Sequence, residues 1–325
     1  MLGYLSFIGR RLFKAVFVLA AVVILNFLLI HAAPGDPATV MAGEAGAADP
    51  LFIAQLRHQF GLDQSLAHQL WVYLDHIVHG DLGFSYRQQR PVWDLLAARL
   101  PATLLLTLSA FVLALLGGVL FGTLAAINVG RLTDTAVTVL ALLSYATPIY
   151  WVGLMLVLLF SVDLAWLPAF GYETVGGGFT GLAHAGDIAR HMVLPVTTLG
   201  LFYMAVYARL TRASILEVSM LDFVKTARAK GQRERTIVWR HVLRNALLPV
   251  ITMAGIQAGQ LVGGSIMVET VFAWPGLGRM TFDALVQRDY QVLLCVFFIT
   301  SVLVIFFNIL TDIVYSLVDP RVEIA

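Results

Sequence analysis

Residues 100 to 130 read LPATLLLTLSAFVLALLGGVLFGTLAAINVG, thirty-one positions without an Asp, Glu, Lys or Arg. A helix rises ~1.5 Å per residue, so about 20 apolar residues cross ~30 Å of hydrocarbon while the helix satisfies its own backbone hydrogen bonds. Five more charge-free runs of 18 residues or more follow this reading: 15 to 35, 135 to 162, 191 to 208, 245 to 268 and 290 to 311. Together they predict an all-α membrane protein with six transmembrane helices. The next run, 174 to 186, has 13 residues and five glycines, and it reads as a loop.

Composition agrees. Hydrophobic residues make up 59% of the chain and charged ones 13%, and the mean hydropathy is +0.83. That profile excludes an ordinary soluble domain. A formal charge of +1 argues against a nucleic-acid partner. The single cysteine, Cys295, has no partner for an internal disulfide.

Orientation follows from where the cations lie. Arg10, Arg11 and Lys14 precede the first run, and Pro34 after Ala32 and Ala33 disfavours signal cleavage, so that run is kept as an anchor. With the N-terminus inside, segments 1 to 14, 128 to 134, 209 to 249 and 318 to 325 hold 14 Lys and Arg in 70 residues. The outer segments, 33 to 99, 161 to 190 and 273 to 290, hold 7 in 115. The positive-inside rule therefore puts both termini in the cytoplasm. The chain divides into a tail and first helix (1–32), a periplasmic segment (33–99), a five-helix core (100–318) and a cytoplasmic tail (319–325).

In the periplasmic segment, Asp49 and Pro50 read as an N-cap and first-turn proline, with Gly61 closing the helix. A second helix is expected from Gln64 to His79, with Leu66, Leu70, Leu74 and Ile77 as its apolar stripe. This segment is either a cap or receiver for a partner, or a packing element.

The segment Arg209 to Arg244 sets nine cations against three acids, Glu217, Asp222 and Glu234. Gly231 punctuates it, which predicts helix, turn, helix: Ser214 or Ser219 opens the first arm, Gly231 ends it, and Arg233 to Asn245 forms the second. Small Ala227 and Ala229 leave room for another protein, and a basic loop over anionic headgroups is the competing reading.

The run DFVKTARAKG (Asp222 to Gly231) followed by WRHVLRNALLP (Trp239 to Pro249) resembles the cytoplasmic loop by which permeases of ATP-binding-cassette (ABC) importers dock their ATPases. The resemblance is to the dipeptide and oligopeptide branch. It extends along the chain through PGDP (Pro34 to Pro37), FGLD (Phe60 to Asp63), GDLGFS (Gly80 to Ser85), RLPATLLL (Arg99 to Leu106), TPIYWVG (Thr147 to Gly153), VETVFAWPGLG (Val268 to Gly278) and DPR (Asp319 to Arg321). Relative to the general importer pattern, Ala227 and Gly231 are kept. Lys225 and Thr226 replace the leading Glu-Ala, and Arg244 stands where the first proline is expected. These departures resemble those of the peptide branch.

The resemblance implies a type I ABC importer permease fold in the bacterial inner membrane, forming half of a pathway for peptides, glutathione or nickel chelates. It implies as partners a second homologous permease in a heterodimer, two ABC ATPases that bind ATP and Mg, and a periplasmic or lipid-anchored substrate-binding protein. ATPase coupling would fall to Asp222, Phe223, Val224, Lys225, Thr226, Ala227, Arg228, Ala229, Lys230, Gly231 and Gln232. The chain has no engine of P-loop type, because its three lysines follow Phe13, Val224 and Ala229 where a Walker A needs Gly-Lys.

Polar groups in the spans carry the remaining expectations. Tyr145, Tyr150, Tyr203, Tyr207, Gln257, Gln260 and Asn308 are candidates to line the pathway, with interhelical hydrogen bonding as the alternative. Glu269 is open to a proton relay, to pairing with Arg279, or to a hydrogen bond that fixes the outer turn, and structure is favoured; the same holds for Asp312. Pro148 is expected to kink the third span. Gly255, Gly259, Gly263 and Gly264 form a small-residue stripe suited to close helix contact. His76 and His79 with Asp75 and Asp81 fall short of a zinc site, and no catalytic residue is assigned. A secondary transporter and a membrane enzyme are the competing classes; each lacks its signature carboxylates, repeat or nucleophile here.

Overall fold

The computed structural model describes residues 2–32, 49–59, 61–85 and 87–318. The PGDP run, Phe60, the tail from Asp319 and the side chains of Gln260 and Asp312 lie outside what is described. In chain order the elements are α1 (Leu2–Ala32), α2 (Pro50–Gln59), α3 (Leu66–Val78), β1 (Phe84–Ser85), β2 (Arg90–Pro91), α4 (Val92–Ile127), α5 (Leu132–Ala146) and α6 (Ile149–Val157). Then come α7 (Gly181–Ser219), α8 (Asp222–Ala229), α9 (Glu234–Thr236), α10 (Leu243–Gly264), α11 (Ile266–Val271), α12 (Leu277–Gln287) and α13 (Tyr290–Val318). Wider π-type turns follow α6 over Leu158–Asp163 and join α9 to α10 over Ile237–Val242.

The fold is mostly helical, and the antiparallel pair β1–β2 is a small exception to the all-α expectation. Among the described residues, α4, α7 and the stretch Tyr290–Thr311 of α13 are each long and apolar enough to cross a membrane. The third predicted span is corrected. It is not one kinked helix but two, α5 and the helix formed by α6 with its π turn, bent by 105°. A proline disfavours the α conformation in the residue before it, and Thr147 accordingly has ψ 134 while Pro148 becomes the N-cap of α6. The glycine-rich 174 to 186 is also only partly loop, since α7 already begins at Gly181.

The chain forms two compact units, Met1–Pro101 with Arg279–Leu303, and Ala102–Gly278 with Val304–Ala325. In the first, the Asp49 carboxylate accepts from the Leu51 N–H at 3.0 Å to open α2, and Gly61 at φ +64 follows its end. Ser65 caps α3 through the His68 N–H. The buried apolar residues of this unit include Val92, Leu95, Leu96, Val292 and Leu293. The Ser85 hydroxyl donates to Asp289 at 2.5 Å, and the Gln291 amide donates to the Leu82 carbonyl at 2.9 Å.

In the second unit, Leu106, Ala110, Leu194, Leu199, Phe272 and Trp274 form one core cluster. Glycines let α4 and α7 approach closely: a Cβ on Gly122 would sit 2.7 Å from the Thr211 Cβ, and one on Gly117 2.6 Å from the Met204 methyl. The close contact anticipated for Gly255 is made within this chain, where the Thr311 hydroxyl donates to the Gly255 carbonyl at 3.3 Å. The surroundings of Gly259, Gly263 and Gly264 are not described. Ser265 separates α10 from α11, so the run 245 to 268 is also broken.

Candidate functional site: the basic loop

The polar arm between α7 and α10 folds as helix, turn, helix. Neither serine opens it. Ser214 is buried inside α7, and the Ser219 hydroxyl donates back to the Ile215 carbonyl at 2.6 Å, closing α7. Leu221, extended at ψ 151, is the N-cap of α8. Asp222 then lies in the first turn and Arg228 in the last, the placement the helix dipole favours. The chain reverses through Gly231 at φ +75, whose N–H donates to the Arg228 carbonyl at 2.9 Å. Left-handed backbone of this kind is readily available only to glycine.

One face of α8 is turned inward. Val224 and Ala227 are buried with Ile215, Ile237, Val242, Leu243 and Ala246. Burying a valine contributes ~1.5 kcal/mol or more, which anchors the arm to α7 and α10. Ala227 therefore faces this chain and leaves no room for a partner, contrary to the expectation from its size, whereas Ala229 is exposed. The outward face presents Asp222, Phe223, Lys225, Thr226, Arg228 and Lys230. Phe223, 42% exposed, is the large apolar group on it.

Arg228 donates to Glu234 through Nε at 2.7 Å and Nη2 at 3.4 Å, bridging α8 to α9. This carboxylate pushes the Arg228 pKa further up, so its charge is fixed. Lys225 meets Asp222 at 2.8 Å with both side chains well exposed; such surface pairs contribute ~0–1 kcal/mol. His241 faces the Gln232 amide oxygen at 3.0 Å across the turn.

Six of the seven pathway candidates have described side chains, all but Gln260. Tyr145 stacks on Phe202 with ring centroids 5.3 Å apart and lies under the Arg209 guanidinium at 4.9 Å. Tyr203 meets the same Phe202 edge-on at 5.4 Å. Tyr150 and Asn308 are exposed. Tyr207 and Gln257 are buried, and the Tyr207 hydroxyl and Gln257 Oε1 have no hydrogen-bond partner.

Two features carry no obvious motif. Arg212 pairs with Asp134 through two hydrogen bonds; the available signal is a lone acid at the start of an apolar run, facing a basic segment. The buried Glu269 accepts from Thr103 at 2.8 Å and Ser265 at 2.9 Å, the structural hydrogen bonding favoured above. Arg279 lies 3.9 Å from Asp283. Among the described residues no group of three or more His, Cys, Asp or Glu could hold a metal. His76 and His79 sit singly beside Asp81 and Asp75.

Long apolar helices joined by a short exposed helical arm define a multi-pass helical membrane protein. Residues 118–324 match the family described as binding-protein-dependent transport system inner membrane component, and residues 4–107 match that system's N-terminal membrane component. The chain belongs to this family. The glutathione transport system permease protein GsiC of Escherichia coli O6:H1 is 41% identical over 319 residues, covering 98% of this chain and 99% of the relative. The di/tripeptide transport system permease protein DppB of Pseudomonas aeruginosa is 41% identical over 339 residues with the same coverage. A chain of the inward-facing MetNI methionine ABC transporter shares the fold at TM-score 0.55 and 20% identity, covering 69% of this chain and 96% of that one. The protein is a permease subunit of an ABC importer and not an enzyme, which sets aside the secondary-transporter and membrane-enzyme readings. Such a permease works with an ATPase and a substrate-binding protein.

Proposed function

We propose that this chain forms half of an inner-membrane import pathway for short peptides, paired with a second homologous permease, two ABC ATPases that bind ATP and Mg, and an external binding protein. The observation that carries the peptide reading is the near-full-length similarity to permeases named for di/tripeptides and for glutathione, itself a tripeptide. Six spans with both termini cytoplasmic complete the reading, supported by the charge-free runs and the cation distribution. Nickel chelates are the remaining alternative within the same architecture.

Energy enters by contact at α8. Its outward face, with Phe223 flanked by Lys225 and Thr226, enters a cleft of the ATPase, and the inward Val224 and Ala227 transmit the motion to α7 and α10. The phenol rings of Tyr145, Tyr150 and Tyr203 and the side-chain amides of Asn308 and Gln260 line the pathway for peptide backbones.

The test is reconstitution of the full complex in vesicles with labelled dialanine, glutathione and a nickel chelate. Phe223→Asp should cut substrate-stimulated ATP hydrolysis at least tenfold while the chain still inserts. Unchanged hydrolysis refutes docking through α8, and uptake of the nickel chelate alone refutes the peptide substrate.

A further inference from the structure

A cavity of about 400 Å³ lies within the first unit, away from the basic loop. Its cationic and titratable wall is formed by His31, His68, His76, Arg87 and Arg288. The acid among its lining residues is Asp289, whose carboxylate already accepts from the Ser85 hydroxyl and the Val292 N–H. The Arg87 guanidinium is held by two hydrogen bonds to the Gln287 carbonyl, at 3.1 and 3.0 Å. Both ring nitrogens of His31 face oxygens, Phe27 O at 2.8 Å and Gln69 Oε1 at 3.2 Å. The Gln69 amide nitrogen is itself directed at the carbonyls of Leu62 and Gln64, which fixes the orientation of that amide. The wall therefore favours an anion, while Phe27, Val72 and Leu294 give it an apolar side.

The helix that forms one wall indicates where the anion comes from. On α3, residues 68, 72 and 76 fall on one side at helical spacing and line the cavity, while Trp71 and Val78 on the other side are 70% and 81% exposed. A helix with an exposed apolar face carrying Trp, and titratable groups opposite, lies in the plane of a membrane interface. The cavity also includes Phe27 and His31 near the end of α1, in the same stretch as the exposed Leu25, Leu28 and Leu29. Headgroup level on one side and acyl level on the other describes a phospholipid.

We infer that this cavity binds the phosphate of an anionic phospholipid, with the acyl chains running down the apolar surface of α1. The size suits such a headgroup, since ligand pockets run from about 300 to 1,000 Å³. Arg87 and Arg288 supply permanent charge. The site is independent of what the importer carries.

The experiment uses the intact transporter, purified, delipidated and titrated with phosphatidylglycerol or phosphatidylcholine, with bound lipid counted by native mass spectrometry. One phosphatidylglycerol per permease should bind at least tenfold more tightly than phosphatidylcholine and resist millimolar glycerol 3-phosphate. Arg288→Gln should lose that preference. Val72→Trp, which fills the cavity and leaves every cation, should lose it too and guards against a folding defect in the arginine variant. Equal retention of the two lipids, or full retention in Val72→Trp, overturns the inference. Displacement by glycerol 3-phosphate assigns the cavity to a soluble phosphate ester and overturns the lipid source.

Discussion

Arg212 reaches from α7 to grip Asp134 in the first turn of α5, with Nε 2.6 Å from Oδ1 and Nη2 2.9 Å from Oδ2. The Gly130 N–H caps the same carboxylate at 3.0 Å. Breaking a fully buried pair from one side costs ~3–5 kcal/mol because a charge is stranded. The Arg212 side chain keeps 32% exposure, so Asp134→Ala should be destabilising by less than that. The double variant Asp134→Ala with Arg212→Ala should recover part of that loss. Denaturant unfolding in detergent across the four proteins of the cycle measures it, and strict additivity would show the pair to be uncoupled.

Gly231 isolates backbone strain from crowding. Its φ is +75 and no atom would lie within 4 Å of an added Cβ, so a side chain there meets open space. Within this chain a substitution acts only through the left-handed backbone, at a cost of ~1–2 kcal/mol for an L-residue and less for Asn. Substrate-stimulated ATP hydrolysis should fall in the order glycine, Gly231→Asn, Gly231→Ala, Gly231→Val, with the valine variant severalfold below wild type. Equal rates for Asn and Val would mean that the turn is not what the loop requires.

Much of the loop was legible because its signals are local. Gly231 and the cations before it act within a few residues, as do Asp49 and Gly61 around α2. The failures have a different cause. Whether Ala227 faces outward depends on α7 and α10 closing over it, and whether Pro148 kinks or ends a helix depends on what receives the second half. Ser214 and Ser219 are good caps by type, yet the helix before them runs on to position 219. The Asp134–Arg212 pair spans 78 positions, and the close approach at Gly117 and Gly122 needs α7 opposite. No window on one helix contains either.

Tyr207 offers a test of the polar residues in the spans. Its side chain is fully buried and its hydroxyl has no hydrogen-bond partner. An unsatisfied buried hydroxyl costs ~1–3 kcal/mol, so Tyr207→Phe should leave the thermal midpoint unchanged or raise it by a few degrees. The measurement is differential scanning fluorimetry in detergent. A lower midpoint would reveal a partner for the hydroxyl.

Asp289 gives a pH dependence with a defined sign. Burial raises its carboxyl pKa, and this outweighs the lowering by Ser85, the Val292 N–H and Arg87. The folded state therefore holds the proton more tightly than the unfolded chain, whose carboxyl titrates near ~3.9. The site contributes most below that value, and stability falls as pH rises through the higher folded-state pKa. Asp289→Asn keeps an acceptor for Ser85 and removes the titration. Unfolding midpoints should decline from about pH 4 upward more steeply in wild type than in the variant, and parallel profiles would exclude the raised carboxyl.

Thr103 is the hinge of a buried chain of hydrogen bonds. Its hydroxyl accepts from the Leu277 N–H at 2.7 Å and donates to Glu269 at 2.8 Å, tying α4 to α11 and to the start of α12. Gly276 sits so close to that carboxylate that a Cβ would overlap it. Thr103→Val has the same shape and neither bond. It removes the Thr103 acceptor from the buried Leu277 N–H and one donor from the carboxylate, at ~1–3 kcal/mol for a group left unsatisfied. Thr103→Ser retains the hydroxyl and loses only a methyl. The valine variant should therefore unfold at clearly lower denaturant than the serine variant. If the serine variant is the weaker of the two, packing of the methyl outweighs the hydrogen bonds, and Glu269 is held by its other donors.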